Sequence, residues 1–584
     1  MERNLTQNDY RFFRFLALLA IILGWFSFGL TLGGYFAHWL AISGAIGIVL
    51  FFGYWIISRK LFSGLSKEFL YLASAFLLTT IIFSFFATPT IFSGRDQGSI
   101  SEAAIRLTQN KQLEFSTPAS EAFFEIYGPG RALNFPGFHY TPGGKLITQF
   151  PLVYTSWLAL FYSIFGLFGL VLANAVLFWL FIFSLYLLFR LFAGSKYGYA
   201  FALLIITSFV FSWILKFTLS ENIAMALLWF GILELIQFLR QPGRLKFISL
   251  LASFGLLVFA RIEGIAFLLV VGAAVIFFTR QNDFWKIQTK RKIILPVIFL
   301  LLMLGVNLIR DFYFYKEIGK VIFSTGKKVA PSGLNIWGYL SNITYTGKIF
   351  ALYGSIIFLI LGLIGIGYYL RKKNWKILVP FFVVLPSFVY LLDANISADH
   401  PWMLRRFVFS IIPALMFYAV LFLIDFLAEK KIKLFWAILA IVFLLGAYPF
   451  AKFVTFSDNL GLLESTQKLS QSFSEGDLVL VDRLAGGNGW SMPTGPMNFL
   501  FGKQAVYFFN PNDLSKIDLQ KFAKIYLIVS DENLSFYQNS VIGSRLINPV
   551  AYSLTTSNLD TNELVRLPKR ESLEVKGKIF EISK

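Results

Sequence analysis

Apolar runs of about 20 residues recur through the first 450 positions of the chain, separated by short polar and often basic segments. At 1.5 Å per helical residue, such a run crosses a hydrocarbon core of about 30 Å. The pattern predicts membrane-spanning helices near 12–33, 37–57, 68–88, 168–189, 198–214, 221–239, 247–261, 264–279, 293–309, 348–370, 377–392, 405–427 and 433–452, about thirteen in all. The first run follows Arg11 and Arg14 and is too long for a signal-peptide core, so it reads as a retained span. After about residue 455 the period changes. "GDLVLVDR", "QAVYFF" and "KIYLIVSD" are short apolar runs bounded by Gly, Asn and Asp, and read as buried strands. "LSKIDLQKFA" between two of them reads as a helix. The expected class is a polytopic α-helical membrane protein with a small C-terminal α/β domain. Three parts are expected: two N-terminal helices over 1–66, a transmembrane module over 67–453 with a large loop at 89–167, and the domain over 454–584.

One ambiguous run decides the orientation. If "LITQFPLVYTSWLALFYSIFG" (146–166) does not cross, the basic positions Arg59–Lys60, Arg190 and Lys196, Arg240 and Arg244, Arg280 to Lys292, Arg371 to Lys373 and Lys430 to Lys433 share one side with Arg11 and Arg14. Cytoplasmic loops collect Lys and Arg, so this arrangement is preferred. Residues 146–166 are then an amphipathic or re-entrant helix at the outer interface. The N-terminus is cytoplasmic, and 89–147, 310–347, 393–404 and the C-terminal domain lie outside.

Composition agrees with this reading. Of 584 residues, 57% are hydrophobic and 14% charged, far fewer charges than a soluble protein carries. The net charge of +20 sits in short loops between apolar runs, which excludes a nucleic-acid-binding face. Without cysteine there is neither a disulfide framework nor a thiolate metal site.

The candidate chemistry lies at the outer ends of the helices. After the span ending near Ala87, "TPTIFSGRDQG" is rich in turn formers. Ser99 and Glu102 have capping-box spacing, which starts an amphipathic surface helix and leaves Arg95 and Asp96 on the preceding loop. Asp96 either caps a turn or is a catalytic carboxylate at headgroup depth. Arg261 and Glu263 in "FARIEGIAF" lie between two apolar runs of about 15 residues, too short to span fully, so their turn sits below the outer surface. The alternative is an internal ion pair pinning two helices. In "DANISADHPWMLRRFVFSIIPAL", Arg405 and Arg406 open a span near Asp399 and His400, and adjacent helical residues point about 100° apart, so at most one easily faces a given site. Lys216 lies at another outer turn with Ser220 as N-cap and Glu221 in the first helical turn, an arrangement that also serves plain capping. Together these residues can clamp a phosphate with Lys216, Arg261, Arg405 or Arg406 while Asp96 and Glu221 supply acid–base groups. Arg95, Glu102, Glu263, His139, Asp399 and His400 are further candidates. His38, His139 and His400 have no zinc-site spacing; a carboxylate-held divalent cation stays open as an alternative.

In order and sidedness these motifs resemble the GT-C glycosyltransferases, within them the branch of protein O-mannosyltransferases and lipid A aminoarabinose transferases. The resemblance covers about 65–420. It rests on Asp96 in "GRDQGSISEAA", the interfacial segment "FPGFHYTPGGKLITQFPLVYTSWLALFYSIFG", Glu221 in "LSENIAMALLWF", "RIEG", and "LRRFVFSIIPAL". Two spans precede the usual first helix, Gln97 replaces the commoner acidic residue, and a Pro-Pro pair is missing. The resemblance implies a polyprenyl-phosphate-linked sugar donor reaching the site laterally from the membrane. It also implies transfer on the extracytoplasmic face of the plasma membrane to a lipid, glycan or protein acceptor. The alternatives are an oligosaccharyltransferase-like enzyme, whose W-W-D type motif "NGWSMPTGP" lacks, and a lipid-linked-sugar transporter. "RLAGGNGWSMPTG" (483–495) reads as a plain surface loop or as a loop binding acceptor, partner or glycan.

The orientation has a direct check in this cysteine-free chain. A single cysteine placed in 190–197 is expected to be shielded from an impermeant external thiol reagent; labelling there reverses the map.

Overall fold

A computed structural model of the chain describes residues 7–279, 289–310, 336–392, 399–560 and 566–584. The basic positions 280–288, most of the expected outer segment 310–347, and 393–398 lie outside the described residues. Helices α1 (Gln7–Gly33), α2 (His38–Ser58) and α3 (Lys67–Phe85) come first. A mixed segment follows with α4 (Asp96–Asn110), α5 (Pro118–Tyr127) and strands β1 (Gly130–Arg131), β2 (Phe138–Tyr140) and β3 (Leu146–Thr148) in one antiparallel sheet. The chain then runs through α6 (Leu152–Phe165), α7 (Leu167–Ala193), α8 (Ser195–Ile206), α9 (Phe209–Leu215), α10 (Glu221–Arg240), α11 (Arg244–Ala260), α12 (Gly264–Thr279) and α13 (Thr289–Arg310).

Among the described residues, seven helices are long and apolar enough to cross a bilayer, or up to nine if each of two bent pairs is one span. The chain is a multi-pass membrane protein. Helices α7 and α10 are buried over most of their length, whereas α2 and α3 present rows of large apolar side chains outward, as a lipid-facing helix does. Three expected spans are not continuous. That at 198–214 is α8 and α9 with a 58° bend between them. That at 348–370 breaks into helices ending at Leu352 and starting at Ile356 that meet at 114°. The turn uses Gly354 at φ +72°, where a Cβ would lie 2.5 Å from the Leu445 carbonyl, so only glycine fits. That at 405–427 is one turn, Arg405–Val408, followed by Ile411–Leu423.

Helix α6 agrees with the expectation that 146–166 does not cross, and differs from only one of the two forms expected for it, the amphipathic surface helix. Its 14 residues span only about 21 Å, too short to cross. It is not a surface helix: almost every residue from Leu152 to Leu160 is buried, because α6 packs against α1, α4 and α7. Trp157 Nε1 donates to the Ala173 carbonyl at 3.2 Å and Tyr154 OH to Asn174 Oδ1 at 2.6 Å, so both of these buried donors are satisfied inside the bundle.

The C-terminal domain is a five-stranded sheet of order β5-β4-β6-β8-β7, from β4 (Leu478–Val481), β5 (Gln504–Tyr507), β6 (Ile525–Ser530), β7 (Leu546–Asp560) and β8 (Lys569–Ile582). The three expected strands are β4, β5 and β6, mutually parallel around β4; β4 and β6 are buried along most of their length and β5 at its two middle residues. "LSKIDLQKFA" forms no α-helix; it contributes to two 3₁₀ turns, because Asp518 accepts from Gln520 N at 3.0 Å and starts a turn of its own.

This domain is joined to α4 and to the segment before it. Ser93 and Met492 exchange backbone hydrogen bonds of 3.1 and 2.8 Å, Gln109 Nε2 donates to the Phe499 carbonyl at 2.8 Å, and Arg106 bonds Asn498. Beneath this joint Glu102 is buried, and burial pushes its carboxyl up to about 7, opposed by Arg106 at 4.0 Å. Folding therefore takes up a proton at Glu102 between its ordinary value of 4.5 and about 7. The stabilisation from the neutral acid is complete below that window and is lost as pH rises through it. Burial of Asp458 adds to the same slope, its carboxyl also being pushed up to about 7. In thermal unfolding from pH 5 to 8, Glu102→Gln is expected to lose less stability with rising pH than wild type; an unchanged slope contradicts the burial argument.

Candidate active site

Asp96 is the first residue of α4, not part of a preceding loop. The Ser99 hydroxyl that was expected to start the helix instead donates to the Pro136 carbonyl at 2.7 Å, and Arg95 becomes the N-cap. The carboxylate of Asp96 therefore sits where the helix dipole favours a negative charge. The chain doubles back tightly here: a Cβ on Gly98 would lie 1.6 Å from the Phe92 carbonyl oxygen. Thr218, in the turn before α10, ties this start to the bundle. It donates from Oγ1 to the Gln97 carbonyl at 2.8 Å and from its amide to Thr90 Oγ1 at 3.1 Å. That brings Glu221 towards the end of α4 that carries Asp96.

Two ion pairs connect this end of α4 with the segment 399–406. Arg405 Nη1 meets Asp96 Oδ2 at 2.6 Å, and Arg95 pairs with Asp399. Arg95 also lies over the rings of Trp402 and Trp490, at 4.4 and 4.7 Å. Burial lowers the affinity of this guanidinium for its proton, and Asp399 opposes the effect. Deeper, Arg261 contacts Glu221 at 2.9 Å and Glu263 through two nitrogens at 3.0 and 3.2 Å, while its guanidinium covers Phe409 at 4.5 Å. Tyr390 OH donates to Glu263, and Arg406 lies 5.7 Å over the Tyr390 ring. Among the described residues Arg406 has no carboxylate within ion-pairing distance, and its Nε has no hydrogen-bond partner. The two adjacent arginines thus diverge as the helical angle requires. Both nevertheless act electrostatically on Glu221, so both belong to the cluster.

The side chain of Asp96 is 40% exposed, against 4% for Glu221 and 15% for Glu263. Of these three acids Asp96 is the most open to solvent. It and Arg95 line a cavity of about 330 Å³ whose other walls include Arg131, Gln149, Arg483, Trp490 and Tyr507.

The remaining candidates lie elsewhere. Lys216 donates to the carbonyls of Phe453, Val454 and Phe456 at 3.2, 2.7 and 2.6 Å, capping the end of helix Ile432–Phe453, so its donors are taken. Glu102 belongs to the joint with the C-terminal domain. His400 is buried with Nδ1 2.9 Å from Tyr353 OH, and His139 is in the small sheet opposite Ile147. Among the described residues no group of three His, Asp or Glu is arranged to hold a metal ion.

Thr218, Tyr390, Trp402, Arg131 and Arg483 were not singled out from the sequence. No local motif marks Thr218 or Tyr390, and Trp402 passes for ordinary aromatic content. Arg483 and Trp490 sit in "RLAGGNGWSMPTG", whose Gly-rich composition reads equally well as a surface loop.

No family model matches the chain, and no curated protein matches it. Among solved structures, it is similar to ArnT from Cupriavidus metallidurans bound to undecaprenyl phosphate, with 11% identity over 88% of this chain and 98% of that one at a TM-score of 0.48. The apo form of the same protein gives 12% identity, the same coverage and a TM-score of 0.49. The Archaeoglobus fulgidus oligosaccharyltransferase complex with Zn and sulfate gives 13% identity over 79% of this chain and 68% of that one, at a TM-score of 0.44.

Proposed function

We propose that the chain is a GT-C-type membrane glycosyltransferase that moves a sugar from a polyprenyl-phosphate-linked donor to an acceptor hydroxyl on the extracytoplasmic side. The observation that carries this reading is an accessible carboxylate, Asp96, ion-paired to Arg405 beside a buried network of Arg261, Glu221 and Glu263, with Arg406 at its edge lacking a carboxylate partner among the described residues. Guanidiniums at the ends of apolar helices are suited to a lipid-linked phosphate, whose tail stays among those helices.

In the reaction, the acceptor hydroxyl attacks the sugar C1 while its proton passes to Asp96. The bond from C1 to the phosphate oxygen breaks, and the electron pair leaves with the polyprenyl phosphate. Arg405 and Arg406 stabilise the charge growing on that oxygen. Glu221 and Glu263 act as positioning residues: each holds Arg261, and the three form a fixed ionic network beside Arg405 and Arg406. Lys216 has no part in the clamp, because its ammonium is spent on helix carbonyls.

The test is transfer of labelled sugar from a polyprenyl-phosphate donor by membranes holding the full chain. Wild type is expected to transfer, and Asp96→Asn to lose about 10²–10⁴-fold in rate with donor binding retained. Equal transfer by wild type and Asp96→Asn removes Asp96 as the base; no transfer by wild type from any such donor overturns the assignment.

A further inference from the structure

We propose that the cavity between Asp96 and the C-terminal sheet is the acceptor subsite, and that it takes an acceptor bearing an anionic group near its attacking hydroxyl. This rests on the transfer reaction proposed above and names the substrate class of the same site. At about 330 Å³ the cavity falls in the size range of small-ligand sites.

Charge is the first argument. Arg95, Arg131 and Arg483 line the cavity with Asp96. Arg95 is neutralised by Asp399 and Asp96 by Arg405. Among the described residues, neither Arg131 nor Arg483 has a carboxylate within ion-pairing distance. The neighbouring Asp482 does not serve Arg483: its oxygens accept from Leu484 N at 2.9 Å, Asn533 Nδ2 at 2.7 Å and Tyr537 OH at 3.2 Å. Two uncompensated guanidiniums beside a compensated carboxylate make a cavity with a positive excess, which selects an anion.

Topology is the second. Arg483 follows the carboxyl end of β4, and Tyr507 is the last residue of its parallel neighbour β5. In open α/β sheets ligands bind in the crevice outside the carboxyl ends of the strands. Here that crevice opens toward Asp96, because the Ser93–Met492 pairing holds the loop after β4 against the start of α4. The third is Trp490. It is 39% exposed on the cavity wall, with the guanidiniums of Arg95 and Arg483 at 4.7 and 5.3 Å from its ring. An indole held in this way offers a flat apolar surface to a sugar face, while the arginines beside it hold a phosphate or a carboxylate.

The experiment is equilibrium dialysis of the full chain in nanodiscs against three labelled probes: a hexose 1-phosphate, a hexuronate and the neutral hexose. Saturable binding of either anionic probe is expected, with the neutral hexose weaker by about tenfold or more. Whichever anion binds tighter identifies the group. Arg131→Gln/Arg483→Gln should lose that preference, and Arg131→Lys/Arg483→Lys should recover part of it; both positions are exposed, where folding is not at stake. Equal binding of neutral and anionic probes by wild type, or an undiminished preference in the double Gln variant, overturns the proposal. Dialysis against polyprenyl phosphate reads the donor clamp separately. Arg406→Gln should weaken that binding and the double Gln variant should not, so a failed donor reading and a failed acceptor reading give different results.

Discussion

Arg405 reaches Asp96 at 2.6 Å across more than three hundred residues of chain, and Arg95 beside it reaches Asp399. These two ion pairs hold the start of α4 against the segment that leads into helix Ile411–Leu423. An arginine at the end of an apolar bundle is costly to desolvate alone. Each partner therefore constrains where the other's backbone runs. Arg95 is fixed further by the two tryptophan rings it covers, which leaves Asp96 aimed at the cavity rather than free to turn away. Thr218 supplies the remaining connection by tying the same helix start to the turn before Glu221.

From this arrangement follows a division of labour between the halves of the chain. The bundle contributes Arg261, Arg405 and Arg406, on the side where the proposed donor's lipid chain would lie. The C-terminal domain contributes Arg483, Trp490 and Tyr507 on the side open to water. Asp96 lies on the boundary, where the proposed base would meet both a membrane-bound donor and an acceptor arriving from the other side. The domain is thus part of the site's wall, and the Ser93–Met492 pairing sets its distance from Asp96.

Much of this was legible in the sequence, and the reasons differ from element to element. Long apolar runs marked α1, α2, α3, α7 and α10 because twenty such residues have few other uses. The breaks at Thr207–Ser208 and Gly354 were not legible: each run stays apolar across the bend, and the cause at Gly354 is contact with Leu445, distant in sequence. The buried strands β4 to β6 were visible as apolar runs, whereas β7 and β8 are polar and largely exposed along much of their length and show no such signal. In the site, charges on the side expected to be outer and sparsely positive pointed to Asp96, Arg261 and Arg405, which the fold brings into one cluster. Lys216 satisfied the same rule for another reason, helix capping, which depends on a carbonyl row 237 to 240 residues away. Arg131 and Arg483 were not distinguishable from ordinary surface arginines until the fold put them on one cavity.

The central claim is a geometry: a lipid phosphate held by the arginines of the bundle, with its sugar turned to Asp96. The most direct measurement is an experimental structure of the full chain with a polyprenyl phosphate bound. The account predicts phosphate oxygens within hydrogen-bonding distance of Arg405 or Arg406, the isoprenoid chain between apolar helices, and Asp96 facing the phosphate's open side. A phosphate bound away from these arginines, or Asp96 turned from it with the cavity closed off, contradicts the account.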